Sequence, residues 1–184
     1  MNRCPKNCSC ERCQSSLPVI KAIDICHITP NEQTPAVSPS TYGNFFQTNF
    51  ITLANNQAMP WNGMGETAGI TLDPDTVTIR VSQGGAYYID YHVNGNFSPF
   101  GTGNVTIITA LFVNNAEVNP IQTRYGALNT EVDRYECVPI TGGTIVFIPD
   151  NGTIQLRNIG PDFRTCDGGI VLAASINLIK VSSS

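Results

Sequence analysis

Apolar and polar residues alternate most cleanly between positions 70 and 93. Val77, Ile79 and Val81 fall on one side of an extended chain with Thr78 and Arg80 between them, the period of a half-buried strand. After Gly84-Gly85 the same period returns, with Tyr87, Ile89, Tyr91 and Val93 facing one way and Tyr88, Asp90 and His92 the other. The glycine pair predicts a hairpin joining the two runs. A lone hairpin is marginal in water, so further strands must cover its oily face.

Such strands are signalled throughout residues 41–184. The pattern predicts them at 45–53, 59–62, 69–72, 77–82, 87–93, 105–114, 117–118, 134–140, 144–148, 153–158 and 169–181. Asp73-Pro74-Asp75, Gly84-Gly85, Asn94-Gly95, Gly142-Gly143 and Asn151-Gly152 supply turns between them. No stretch sustains a helical period. The expected fold is all-β, a two-sheet jelly roll. Two runs, 105–113 and 145–148, are apolar on both faces, which requires a sheet on one side and a loop or a second subunit on the other. With little helix available as a lid, a subunit contact is favoured, and Val105, Ile107, Leu111 and Val113 are its candidate residues.

The first forty residues follow other rules. Residues 1–16 carry Cys4, Cys8, Cys10 and Cys13 and almost nothing apolar, so this connector has to be ordered covalently or by metal. Four thiols within ten residues are cramped for the two knuckles of a zinc tetrahedron, which favours disulfides over zinc. Seven cysteines cannot all pair within one chain, so the arm is a candidate for links between subunits, with Cys26 available to join them. Cys137 and Cys166 fit a bridge or two buried thiols equally well. Residues 17–40 form an extended linker arm. Its apolar part, LPVIKAIDICHI at 17–28, either packs on its own domain or adds as a strand to a neighbour, with Val19, Ile20, Ile23 and Ile25 as docking residues. Pro30, Pro35 and Pro39 stiffen the remainder of the linker.

Charge narrows the partners. Charged residues are 13 % of the chain and the net charge is −4, with ten Lys and Arg in all, which argues against nucleic acid and anionic membrane surfaces. No apolar run is long enough for a membrane-spanning helix, and the amino terminus lacks the apolar segment of a secretory signal, so synthesis in a cytoplasm is expected. No catalytic constellation emerges. His27 lies in the arm, His92 alternates to a wet face, and no hydrolytic serine motif is present. The expectation is a non-enzyme without cofactors or metal.

The order of segments resembles the jelly rolls of the tumour necrosis factor and complement globular-head superfamily. The resemblance is carried by Met59-Pro60-Trp61-Asn62, by the segment 70–81, by Gly85-Ala86-Tyr87-Tyr88-Ile89 and by Leu111-Phe112-Val113-Asn114. The segments 142–148 and 154–158 and the closing ASINLIKV at 174–181 complete it. It covers about residues 45–181 and implies a compact homotrimer with an apolar three-fold interface. Within the superfamily the chain is similar to bacterial spore-surface proteins of the exosporium, its hair-like filaments and endospore appendages. This implies a structural subunit made in the mother cell without a signal peptide, self-assembling and contacting other spore-surface proteins. Thiols made in a reducing cytoplasm then oxidise after release. The collagen-like stalk of the filament proteins is missing here, which suits a connector or stacked fibre subunit. The alternative is an adhesive head anchored by the Cys cluster, with Trp61 and Tyr125 as the loop-like aromatics of its groove.

Overall fold

The computed structural model describes residues 41–96, 105–129, 137–166 and 172–183. All of them belong to the second of two compact units, Pro39–Ser184. The connector and linker arm, with Cys4, Cys8, Cys10, Cys13, Cys26, Val19, Ile20, Ile23 and Ile25, lie outside the described residues. In chain order the strands are β1 (Tyr42–Gln47), β2 (Thr52–Leu53), β3 (Gly63–Ala68), β4 (Ile70–Leu72), β5 (Ile79–Val81), β6 (Gly85–Asn96), β7 (Val105–Val113) and β8 (Ala116–Glu117). A short helix α1 (Pro120–Thr123) precedes β9 (Tyr125–Asn129), β10 (Cys137–Ile148), β11 (Thr153–Asn158), β12 (Phe163–Thr165) and β13 (Ala174–Ser183).

Two antiparallel sheets form the expected jelly-roll sandwich. One has the path β2-β12-β6-β13-β1-β3, with β10 paired along the other side of β6; the second runs β4-β5-β11-β7-β8, with β9 also on β7. The inner faces meet in one core. Alternation in β6 sends Tyr87, Ile89, Tyr91 and Val93 inward, where none is accessible to solvent. Opposite them stand Ile79, Val81, Ile107, Leu111, Ile154 and Leu156 from the second sheet. Burying each such side chain contributes about 1.5–3 kcal/mol.

Several sequence expectations change, among them the strand at 59–62, which belongs to no strand of the fold. The runs at 77–82 and 87–93 do not form a hairpin: β5 pairs with β4 and β11 in one sheet, and β6 with β10 and β13 in the other. Gly84-Gly85 therefore carries the chain from one sheet to the other. Asn94-Gly95 and Gly142-Gly143 are not turns either, but lie inside the paired strands β6 and β10. At Gly142 the reason is packing, since an added Cβ would sit 2.6 Å from Cζ of the buried Tyr91 ring. A true two-residue hairpin occurs at Asn114-Asn115, between paired Val113 and Ala116. Both asparagines have positive φ, the condition for a turn matching strand twist.

Cys137 and Cys166 form a disulfide, which decides between the two sequence readings of these thiols. It joins the start of β10, where Cys137 opposes Asn96, to the residue just after β12, whose N–H donates to the Asn94 carbonyl. The bridge thus straps the end of β6.

Candidate functional site

The outer face of the seven-stranded sheet carries an apolar band built by register. Ile145 of β10 opposes Tyr88 of β6, Tyr88 opposes Ile179 of β13, and Ile179 opposes Tyr42 of β1. One cross-strand row therefore places four large side chains on the solvent side of four adjacent strands, across about 14 Å of sheet. Phe147 and Val181 extend it. Ile145 and Phe147 are 61 % and 63 % exposed, and Ile179 and Val181 about half exposed. The neighbours of these residues in sequence, Val146, Ile148 and Leu178, point into the core, so β10 and β13 are oily on both faces. A contiguous apolar patch of this kind marks an interaction surface.

The next row is polar. Asn44 Nδ2 donates to Asn177 Oδ1 at 2.6 Å, and Asn177 Nδ2 donates to Asp90 Oδ2 at 3.1 Å. Gly143 continues this row on β10, its carbonyl accepting from the Tyr125 hydroxyl at 3.1 Å. Beyond it, Thr141 Oγ1 lies 3.1 Å from His92 Nδ1. The face is thus divided into an apolar end and a hydrogen-bonded end. A shallow hollow of about 410 Å³, lined in part by Tyr42, Asn44, Glu66, Asp90 and Asn177, marks the boundary.

Of the residues predicted for a subunit interface on β7, three serve the chain's own core. Ile107 and Leu111 are fully buried in the chain's own core, and Val113 packs against that core. Val105 begins the strand. Ile107, Thr109 and Leu111 are buried toward the opposing sheet, so the residues alternating with them make the outer face of β7. Phe112 there lies under the Arg157 guanidinium, 4.3 Å from the ring centroid. The double apolarity of β7 is therefore largely satisfied within the chain, whereas that of 145–148 is not.

The two aromatics expected in loops also move. Trp61 is 2 % exposed and belongs to the core, so its ring offers no stacking platform. Tyr125 opens β9, half-buried and edge-on to Tyr91 at 6.0 Å between ring centroids. Tyr91 itself is sealed in: its hydroxyl donates to the Thr123 carbonyl at 3.2 Å, and burial pushes its pKa up to about 12. His92 sits on the outer face of β6, as its alternation predicts. Among the described residues no group of three His, Cys, Asp or Glu is placed to hold a metal ion.

Beside the unpaired side of β3 lies a groove of about 550 Å³. Its walls include Trp61, Met64, Thr67, Ile70, Leu72 and Thr76. The Trp61 indole N–H is buried and has no hydrogen-bond partner among the described residues. Thr76, a β-branched residue, holds the left-handed conformation at φ 62°, and its carbonyl accepts from the Trp61 backbone N–H at 2.8 Å.

Neither a protein-family model nor a curated protein sequence matches the chain. Solved structures do. The chain is similar to the Eiger TNF of S. frugiperda, with a TM-score of 0.62 at 10 % identity, covering 80 % of this chain and 96 % of that one. It is also similar to the globular domain of zebrafish complement 1qA, with a TM-score of 0.54 at 9 % identity, covering 78 % and 99 %. The fold is therefore a TNF-like jelly roll.

Proposed function

We propose that this chain is a non-enzymatic structural subunit that assembles as jelly-roll homotrimers. In this reading it belongs to a bacterial spore surface layer or appendage, with its Cys-rich arm linking trimers covalently. The observation that supports assembly is the apolar row Ile145–Tyr88–Ile179–Tyr42 on the outer sheet face. Withdrawing half-exposed side chains of this size from water contributes about 1–2 kcal/mol each, and a three-fold assembly repeats the gain at every contact. The polar row beside it fixes register, because an unpaired Asn or Asp at a closed contact is costly. The arm, with Cys4, Cys8, Cys10, Cys13 and Cys26, supplies the covalent element, and the spore setting rests on the sequence resemblance. The alternative of an adhesive head loses its aromatic platform, since Trp61 is enclosed by the core.

Sedimentation of the full chain in reductant tests the trimer, which is expected at three times 19.9 kDa. Non-reducing gels test the links: ladders of higher multimers are expected, absent when Cys4, Cys8, Cys10 and Cys13 are all changed to Ser. A monomer in sedimentation overturns the assembly reading. A wild type that binds zinc and forms no ladder replaces the covalent connector with a metal-stabilised one.

A further inference from the structure

Two features of β3 remain unused by the sheet-face assembly. Among the described residues it pairs with β1 alone, so its other side presents a row of unsatisfied backbone groups. Along that side runs the apolar groove lined by Trp61, Met64, Ile70 and Leu72. Met64 is 55 % exposed at its mouth, while the buried indole N–H of Trp61 has no acceptor among the described residues. An unpaired strand edge beside a groove with oily walls is the receptor half of strand addition, where backbone bonds give affinity and pockets read alternate side chains.

We infer that residues 17–28 of a neighbouring copy dock in this groove as an added strand on β3. The inference rests on the proposed role of the arm as a connector and names its receiver. Only the apolar stretch at 17–28, with Val19, Ile20, Ile23 and Ile25, offers side chains of the required kind within residues 1–40. Its Lys21 complements the exposed Glu66 of β3. The chain enters the domain at Thr41, near the Ala68 end of β3 and one strand away from its free side: Tyr42 opposes Ala68, and Gly69 would place a Cβ 3.1 Å from the Thr41 side chain. Twelve residues, three of them proline, separate position 28 from Thr41. At about 3 Å per residue for a proline-stiffened linker they span roughly 35 Å, longer than the roughly 20 Å of a six-residue strand. A spacer of that reach is long enough to bring the apolar stretch to another molecule's groove.

The test uses hydrogen exchange in reductant, so that cysteine links play no part. A 15N-labelled full chain carrying Ile20→Asp and Ile23→Asp serves as the acceptor, and unlabelled full-length wild type in excess as the donor. Amides of β3 on the free side are expected to exchange at least tenfold more slowly when donor is added. The indole resonance of the single tryptophan, Trp61, should shift with them. Unchanged β3 exchange at saturating donor overturns the inference. So does protection that survives Met64→Arg in the acceptor, because the arm would then be elsewhere. A labelled wild-type chain diluted into an excess of unlabelled arm-defective chains must lose its protection; retained protection means its own arm fills the groove and overturns docking between copies. Sedimentation of the labelled variant separates this outcome from the trimer reading. Trimers without β3 protection sink only this inference, and β3 protection without trimers sinks only the sheet-face assembly.

Discussion

Ile145 and Tyr88 are direct cross-strand partners, and both side chains stand on the solvent side of their sheet. Side chains facing outward in register contribute little to the single chain but much to a face-to-face contact. Ile145→Asp is therefore expected to leave far-UV circular dichroism unchanged while converting the assembled species to monomer in sedimentation. At an exposed site the cost to the fold itself stays within about 0.5 kcal/mol. An undiminished trimer would move the contact to another surface.

Tyr91 predicts an alkaline limit. Burial raises its folded pKa to about 12 from the ordinary 10.0, so the neutral phenol is the form the core accepts. The stability from this group is fully present below pH 10 and is lost as pH rises through 12. A difference of that size corresponds to about 2–3 kcal/mol. Urea titrations between about pH 9 and 12 should show a steeper loss for wild type than for Tyr91→Phe; equal slopes would mean that the ring is not sealed.

Gly142 is required by the same ring. An added Cβ would lie 2.7 Å from the Tyr91 hydroxyl oxygen, and that ring is held between two sheets. Gly142→Ala is expected to destabilise by about 1–3 kcal/mol as overpacking, read as a lowered urea midpoint. Gly143→Ala, whose nearest contact is 3.2 Å away on the exposed Tyr88 hydroxyl, should cost less.

These glycines show where sequence reading ends. Period-two alternation identified the buried face of β6 residue by residue, and β11 at 153–158 matches its predicted span. The same alternation does not say which sheet a strand joins, so β5 and β6 read as a hairpin although they lie in opposite layers. Glycine pairs read as turns because glycine permits them, yet at Gly142 its use is the space it leaves for Tyr91. The strand β3, GMGETA, has no β-branched run and is a strand because β1 pairs with it; β9 and β12 are short and equally unmarked. For the proposed assembly surface the useful signal was double apolarity, present in 105–113 and in 145–148. Only packing distinguishes the run covered by its own chain from the one left open.

The Cys137–Cys166 bridge closes a loop with a sequence separation of 29. Chain-entropy reasoning gives about 3–4 kcal/mol for a loop of this size. Reduction, or replacement of both residues by Ser, should lower the melting temperature by several degrees with the trimer still present at room temperature. A melting curve indifferent to reductant would show the thiols unpaired in solution.

The position of β13 has a consequence for timing. It lies between β6 and β1, in the interior of the seven-stranded sheet, although it is the last described strand in the chain. On the ribosome β1 can pair with β3, and β6 with β10 and β12, but the two groups stay unjoined until residues 174–183 arrive. The sheet, and with it the row that includes Ile179, cannot exist on a nascent or interrupted polypeptide. Synthesis thus acts as a checkpoint: a chain interrupted before β13 lacks the face on which the proposed assembly depends.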